Sequence, residues 1–312
     1  MASASSTTHS QPHNSIHTDG SFQRNGLIIA VIAALLFSTK PILIKYLYQL
    51  GIEPLPLMWI RMLMALPIYL VVGIYAWKKL PQKPANSQLF KAAMIGLLGY
   101  YLASYLDLQG LQYISAQFER VILYAYPSFV VILGALFFQQ TFKAKLIFPL
   151  LLTYGGLLLM YADDLSVSGI SADTHQWGVL LILASALSFA FYILFSKKSI
   201  STLGSLLFTS IAMASASLAI SVHQFVVSGV QLQSYGTEVW FYLAVLSMFA
   251  TVLPSFMTSE AIKRIGPQKA SMTGTLGPVA TSIMAIIFLG ENLSISGLFG
   301  MLLVIIGIRK LS

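Results

Sequence analysis

Five charged side chains stand where charge is expensive. Lys40, Arg61, Asp107, Glu119 and Arg120 interrupt long apolar runs, and Lys45 and Glu260 lie towards the ends of such runs. Ionisable groups at membrane depth are costly and by default mark function. Three cations beside two acids can hold a zwitterion, with a carboxylate on Arg120 or Lys40 and an amine on Glu119 or Asp107. A desolvated carboxyl, Glu119 or Asp107, can also carry a proton, although Arg120 and Lys40 oppose that. The competing reading is an ion-pair network that only fixes helix packing, or side chains that snorkel outward. Arg61, Lys45 and Glu260 fit that structural role better. Glu119 and Arg120 are adjacent, so on a helix they point about 100° apart and cannot both face one cavity squarely.

Other chemistries lack their residues. There is no cysteine, which excludes thiolate metal sites, thiol catalysis and disulfides. The phosphate-cradling Gly-x-x-x-x-Gly-Lys-Ser/Thr loop and the His-Glu-x-x-His zinc pair are both absent. His9, His13 and His17 recur every fourth residue, but no carboxylate or cysteine completes a ligand set, and Pro12 interrupts the segment. His223 stands alone. No metal and no cofactor are expected, and the chain does not read as an enzyme.

The elements that position these charges follow from composition. Of 312 residues, 9% are charged and 57% hydrophobic, and the mean hydropathy is +0.79. A soluble domain carries about 25% charged residues, so too few charges exist here to cover a water-facing surface. The apolar residues come in long runs rather than heptads, which excludes a coiled coil. The chain reads as an all-α integral membrane protein. Ten runs of spanning length lie near 26–48, 55–77, 90–111, 116–138, 145–162, 177–196, 203–228, 238–261, 268–289 and 295–309. Residues 1–25 are polar and expected to be a disordered cytoplasmic tail.

Basic residues gather on alternate connections: Lys78, Lys79, Lys83 and Lys91; Lys143 and Lys145; Lys197 and Lys198; Lys263, Arg264 and Lys269; with Arg24, Arg309 and Lys310 at the two ends. The other connections carry Glu53, Asp163, Asp164, Asp173, Glu238 and Glu291. Lysine and arginine stay on the cytoplasmic side, so both termini are expected inside. The net charge of +8 is then an orientation signal rather than a nucleic-acid patch. Within this frame Lys40, Arg61, Asp107, Glu119 and Arg120 all fall in the outer half of the bilayer, as the floor of an outward-facing cavity.

The chain also repeats. A shift of 152 residues pairs the first helix with the sixth, Gly26 with Gly178 and Lys45 with Lys197, and from the third helix on a shift of 151 pairs Ser104 with Ser255, Ile114 with Ile265, Gln117 with Gln268, Pro127 with Pro278, Phe137 with Phe288 and Gly156 with Gly307. Each half, 26–164 and 175–312, holds five spans. Five is odd, so the halves enter from opposite sides, an inverted repeat of the kind secondary transporters use. The charges are not repeated: Lys40, Asp107, Glu119 and Arg120 correspond to Tyr192, Thr258, Ala270 and Ser271. Pro127 and Pro278 are expected to kink their helices at matching places. Gly274 and Gly277 read as close-packing positions.

Several segments carry a family resemblance. Leu111-Gln112-Tyr113-Ile114-Ser115-Ala116, Tyr126-Pro127-Ser128-Phe129-Val130-Val131, Trp59-Ile60-Arg61-Met62 and Phe288-Leu289-Gly290-Glu291-Asn292-Leu293 resemble EamA-type permeases of the drug/metabolite transporter superfamily. One departure is Gln139-Gln140, where the family carries Gly-Glu. The resemblance implies a pathway bounded by the first, third, fourth, sixth, eighth and ninth helices, which favours Tyr101, Tyr105, Tyr124, Phe189 and Tyr192 as an aromatic wall. It implies export of small metabolites, with amino acids or related amphipathic compounds favoured. The expected partners are a small-molecule substrate and the lipids of a bacterial-type inner (plasma) membrane, with no nucleic acid and no obligate protein partner. An importer remains open, because the fold does not set direction. An intramembrane enzyme would need a facing catalytic pair, and a scaffold would need a soluble domain or large loop; neither is evident.

Overall fold

In a bilayer every backbone N–H and C=O needs a partner from within the protein, so long apolar runs become helices. The computed structural model describes residues 20–137, 144–229, 235–273 and 277–311, which form helices joined by short connections, with no strand among them. Eight helices are long and apolar enough to cross a membrane: α1 (Ser21–Gln49), α2 (Pro54–Lys79), α3 (Asn86–Gly110), α4 (Ala116–Phe137), α5 (Ala144–Val167), α6 (Ala172–Leu203), α7 (Ser205–Ser228) and α8 (Thr237–Thr273). Two shorter helices complete the order, α9 (Gly277–Leu289) and α10 (Ile295–Lys310). Large apolar side chains such as Val71, Leu136, Leu158, Val226 and Phe288 cover the exterior, a surface suited to lipid rather than water. The chain is a multi-pass membrane protein.

Two sequence expectations change. First, helix begins at Gly20 rather than Gly26. The Phe22 ring lies under the Arg264 guanidinium at 4.7 Å, and that contact ties down part of the expected tail. Residues 1–19, with His9, His13 and His17, lie outside the described residues, as do Gln139-Gln140, Lys143 and Gly274. Second, among the described residues the tenth run forms a helix short of spanning length. α10 has only 16 residues. The helical stretch that ends at Thr273 is two helices meeting at a non-helical Gly266 (φ +79°) ahead of Pro267, so the second of them starts where the ninth run was expected to start.

Packing follows the repeat. α5 packs on α10, α2 on α7 and α4 on α9; α3 meets α6 as α8 meets α1, α4 meets α6 as α9 meets α1, and α3 meets α7 as α8 meets α2. Exchanging the halves maps each of these pairs onto another in the set, which is the signature of a two-repeat architecture. Local irregularities repeat too. π-helical turns at Leu97–Leu102 and Met248–Val252 sit one repeat apart. Such turns insert an extra residue into the hydrogen-bond ladder and re-aim the side chains that follow. The repeat-related Gly156 and Gly307 both face the α5–α10 contact, where a Cβ on either would collide with backbone of the opposite helix. The two helices therefore touch along small residues.

Proline breaks two helices near the charges. α1 is interrupted at Thr39, just before Pro41. α4 loses its regular ladder at Tyr124 and Ala125, just before Pro127, because proline donates no N–H and its ring crowds the preceding turn. Pro278 follows residues 274–276, which lie outside the described ones.

Candidate functional site

The break in α1, the end of α3 and the first turns of α4 bring the charges together. Lys40 Nζ donates to Asp107 Oδ2, with the side chains only 12% and 2% exposed. Glu119 lies within electrostatic reach of Asp107, Lys40 and Arg120, and Asp107 Oδ1 and Glu119 Oε2 are buried without a hydrogen-bond partner. Arg61 is buried within electrostatic reach of Asp107, and its Nε has no hydrogen-bond partner. Arg120 is held differently. Its Nη2 donates to Ala34 O at 3.2 Å and towards Ser38 Oγ at 3.5 Å, while its Nε is buried without a partner. Gly277 leaves room for it, since a Cβ there would sit 3.3 Å from Nη2. Among the described residues, ion pairs join Lys40 to Asp107, His175 to Asp164, and Lys263 and Arg264 to Glu260; none includes Arg120.

Lys40, Asp107 and Arg120 form one end of a cavity of about 130 Å³ between the two halves. Its walls come from α1, α3, α4, α6 and α8, through residues such as Phe37, Tyr100, Ser104, Ser185 and Thr258. Arg61 and Glu119 do not reach it and stand behind the paired charges. The cavity runs from the cluster towards the end of the molecule that carries the α1 N-terminus. On the other side of the cluster Ile44, Leu47, Leu108 and Leu111 are fully packed. This reverses the expected side. Depth along a helix locates a charge but does not say which flank of it is filled, and here the filled flank is the one expected to be open.

The aromatic wall is partly different from the one expected. Tyr124 and Phe189 line the cavity together with Tyr100 and Tyr126. The Tyr126 ring meets Phe189 edge-on at 5.2 Å, and Phe189 stacks on Tyr192 at 5.4 Å. Tyr192 is fully buried behind them and shares a hydrogen bond of 3.0 Å with Tyr100. Tyr101 and Tyr105 turn away: both rings pack on His223 of α7, and Tyr101 Oη bonds its Nδ1 at 3.1 Å. Tyr100 was readable from Asp107, because positions 100, 104 and 107 recur at helical spacing on one face. Tyr101 and Tyr105 lie one residue round from it, about 100° away.

The packed end carries acids that the sequence reading left as loop residues. The α4 N-terminus leaves backbone N–H groups without intrahelical partners. Ser115 N donates to Asp164 Oδ2 at 3.2 Å, Ala116 N to Glu291 Oε1 at 2.8 Å, Gln117 N to Glu291 Oε2 at 3.2 Å, and Phe118 N to Ser115 Oγ at 3.1 Å. Asp164 also bonds the buried His175 ring at 2.8 Å, and Asp163 accepts from Ser294 and Ser296 at the start of α10. Burial pushes the Glu291 carboxyl up, and the two backbone N–H groups offset part of that rise. At the opposite end Glu260 is a local partner, bonded to Arg264 Nε at 2.7 Å and Ser205 Oγ at 2.5 Å. No group of three metal-ligating side chains is close enough to hold an ion among the described residues.

Known proteins agree with this architecture. The model of the EamA-like transporter family matches residues 24–162 and again 176–312. The chain is 29% identical over 282 residues to the uncharacterized transporter YcbK of Bacillus subtilis (strain 168), covering 88% of each chain. It is 26% identical to the uncharacterized transporter YyaM of the same organism over 73% of this chain and 75% of that one. A solved crystal structure shares the fold at a TM-score of 0.67 and 13% identity, over 92% of this chain and 96% of the other. Two matched five-helix halves, a cavity between them and this twofold family match place the chain in the EamA-like transporter family, within the drug/metabolite transporter superfamily.

Proposed function

We propose that this membrane transporter is a ten-span secondary exporter of a small amphipathic metabolite, of which amino acids and related compounds are the favoured class. In this reading both termini are cytoplasmic, the halves are inverted repeats, and the membrane is the plasma (inner) membrane. The observation that carries it is the cavity lined by helices of both halves and ending on Lys40, Asp107 and Arg120. Six hydrogen bonds between separate segments tie the packed end together, and the cavity lies at the other end. With the N-terminus inside, this conformation faces the cytoplasm. Two quasi-equivalent halves can exchange conformations, which would close this cavity and open the packed end, so that the substrate meets each side in turn. No nucleotide or metal chemistry is needed, and a coupling proton on Asp107 or Glu119 is compatible with the arrangement.

The test is an untargeted comparison of metabolites in the medium of cells with and without the protein, followed by flux of the enriched compounds in reconstituted vesicles. Export of a defined class supports the reading. Accumulation inside the cells instead would make the protein an importer. A fusion reporter at Gly169 should report the outer side, and a cytoplasmic signal there would overturn the orientation.

A further inference from the structure

The charges at the cavity end do not balance. Even with both acids ionised, Lys40, Arg61 and Arg120 face only Asp107 and Glu119. Asp107 is paired with Lys40 through Oδ2, and its Oδ1 has no hydrogen-bond partner. Among the described residues neither Arg61 nor Arg120 is in an ion pair, and of the two only Arg120 lines the cavity. Arg120 is 8% exposed, no carboxylate pairs with it, and its Nε has no partner at all. A buried charge without a counter-ion is strongly unfavourable, so such a group is kept where something supplies the missing anion. Arg120 lines the cavity, so that anion can come from what enters it.

We infer that Arg120 forms an anion subsite for a substrate carboxylate, and that the transported class is organic monocarboxylates with a flat apolar body, an amino group being unnecessary. This rests on the reading of the chain as a transporter and narrows its substrate. The guanidinium offers a planar fork of donors matched to a carboxylate. The Tyr124 hydroxyl, also buried without a partner and also on the cavity wall, is a second donor one helical turn away. Four more aromatic rings, Phe37, Tyr100, Tyr126 and Phe189, stand on the wall among small residues. Faces and edges of this kind receive a flat apolar body. An ammonium group would have to share Asp107 with Lys40, which already holds its Oδ2. The cavity therefore offers an unpaired cation for an acid, whereas the acid on its wall, Asp107, already has a cation.

The test uses the full chain in lipid nanodiscs and reads calorimetric binding of four probes of one shape: 3-phenylpropionate, its neutral amide 3-phenylpropanamide, 2-phenylethylamine and phenylalanine. Sites built to bond a polar group reject analogues that lack it. The carboxylate is expected to bind at least tenfold more tightly than the amide and the amine, and no more weakly than phenylalanine. Arg120→Gln should erase the difference between carboxylate and amide, and Arg120→Lys should restore part of it. Equal binding of the carboxylate and the amide, tighter binding of phenylalanine by tenfold, or binding of none of the four would overturn the proposal. The wild-type series decides the matter even if Arg120→Gln does not fold. The two readings fail separately. Binding in the expected pattern without flux in reconstituted vesicles would defeat the transport reading alone, and export of metabolites without the pattern would defeat the subsite alone.

Discussion

The two halves of the molecule share a scaffold and differ in charge. Their helices pack in equivalent pairs and carry π-helical turns at matched positions, yet Lys40, Asp107, Glu119 and Arg120 answer to Tyr192, Thr258, Ala270 and Ser271. These counterparts sit in the same neighbourhood. Thr258 and Ala270 line the cavity opposite the charges. Tyr192 and the Ser271 carbonyl bond Tyr100 and Tyr126, which are part of its wall. Symmetry is kept in the backbone and the packing. It is dropped where it would place a second set of buried charges against the first, at a desolvation cost of several kcal/mol per ion. The helix ends differ in the same way. The α4 N-terminus is held by Asp164 and Glu291, whereas its counterpart begins at Gly266-Pro267, where proline has no N–H to be held.

The sharpest way to break this comparison is to alter one member of a matched pair. Asp107→Leu leaves Lys40 and Arg61 buried without their acid and should destabilise the protein by about 3–5 kcal/mol. Thr258→Val, its partner change in the uncharged half, should cost less than about 1.5 kcal/mol. Thermal or denaturant unfolding in detergent measures both, and equal losses would contradict the asymmetry. Adding Lys40→Met to Asp107→Leu should recover much of the loss, because a buried pair replaced whole is often near neutral.

A second comparison tests the symmetric part. Gly156→Val and Gly307→Val should each cost about 1–3 kcal/mol by overpacking the α5–α10 contact. Gly155→Val has open space around it and should leave the melting temperature near that of the parent. A large difference between Gly156 and Gly307 would argue against their equivalence.

The smallest effect is expected at Glu291. Its carboxyl is raised by burial, so the folded state holds that proton more firmly than the unfolded chain does. The stability it contributes is fully present below the ordinary glutamate value and is lost as pH rises through the raised one. Lys45 and Asp164 are the charges that share its surroundings. Glu291→Gln should flatten that slope in unfolding curves above the ordinary glutamate range. It should also loosen the α4 N-terminus, since a carboxamide has one acceptor where the carboxylate has two. In the cysteine-free chain, Ile114→Cys should then react several-fold faster with a thiol reagent; an unchanged rate would mean Glu291 does not hold that end.

Much of this was legible beforehand for a physical reason. Membrane helices must satisfy their own backbone and keep charge scarce, so apolar runs and isolated charges such as Lys40, Asp107 and Arg120 show in the residue order. Tyr101 and Tyr105 were misassigned because depth was read without phase. The π-helical turn just before Ala103 alters that phase, and tandem tyrosines leave no pattern that tells one face from the next. The clamp at the packed end was missed because Glu291 and Asp164 reach across from distant segments to backbone groups, and backbone donors have no sequence signature.

Residue order by itself determined that this chain enters a membrane, that it does so in two related halves, and which side chains bear charge there, because each is a property of local hydrophobicity or of spacing. Only the tertiary structure decided which charges are matched. Lys40 finds Asp107 across 67 positions of chain, Glu119 joins them from the next helix, and Arg120 is left facing the cavity alone. Electrostatic pairing depends on distances of a few ångströms between helices, and those distances exist only once the helices have packed.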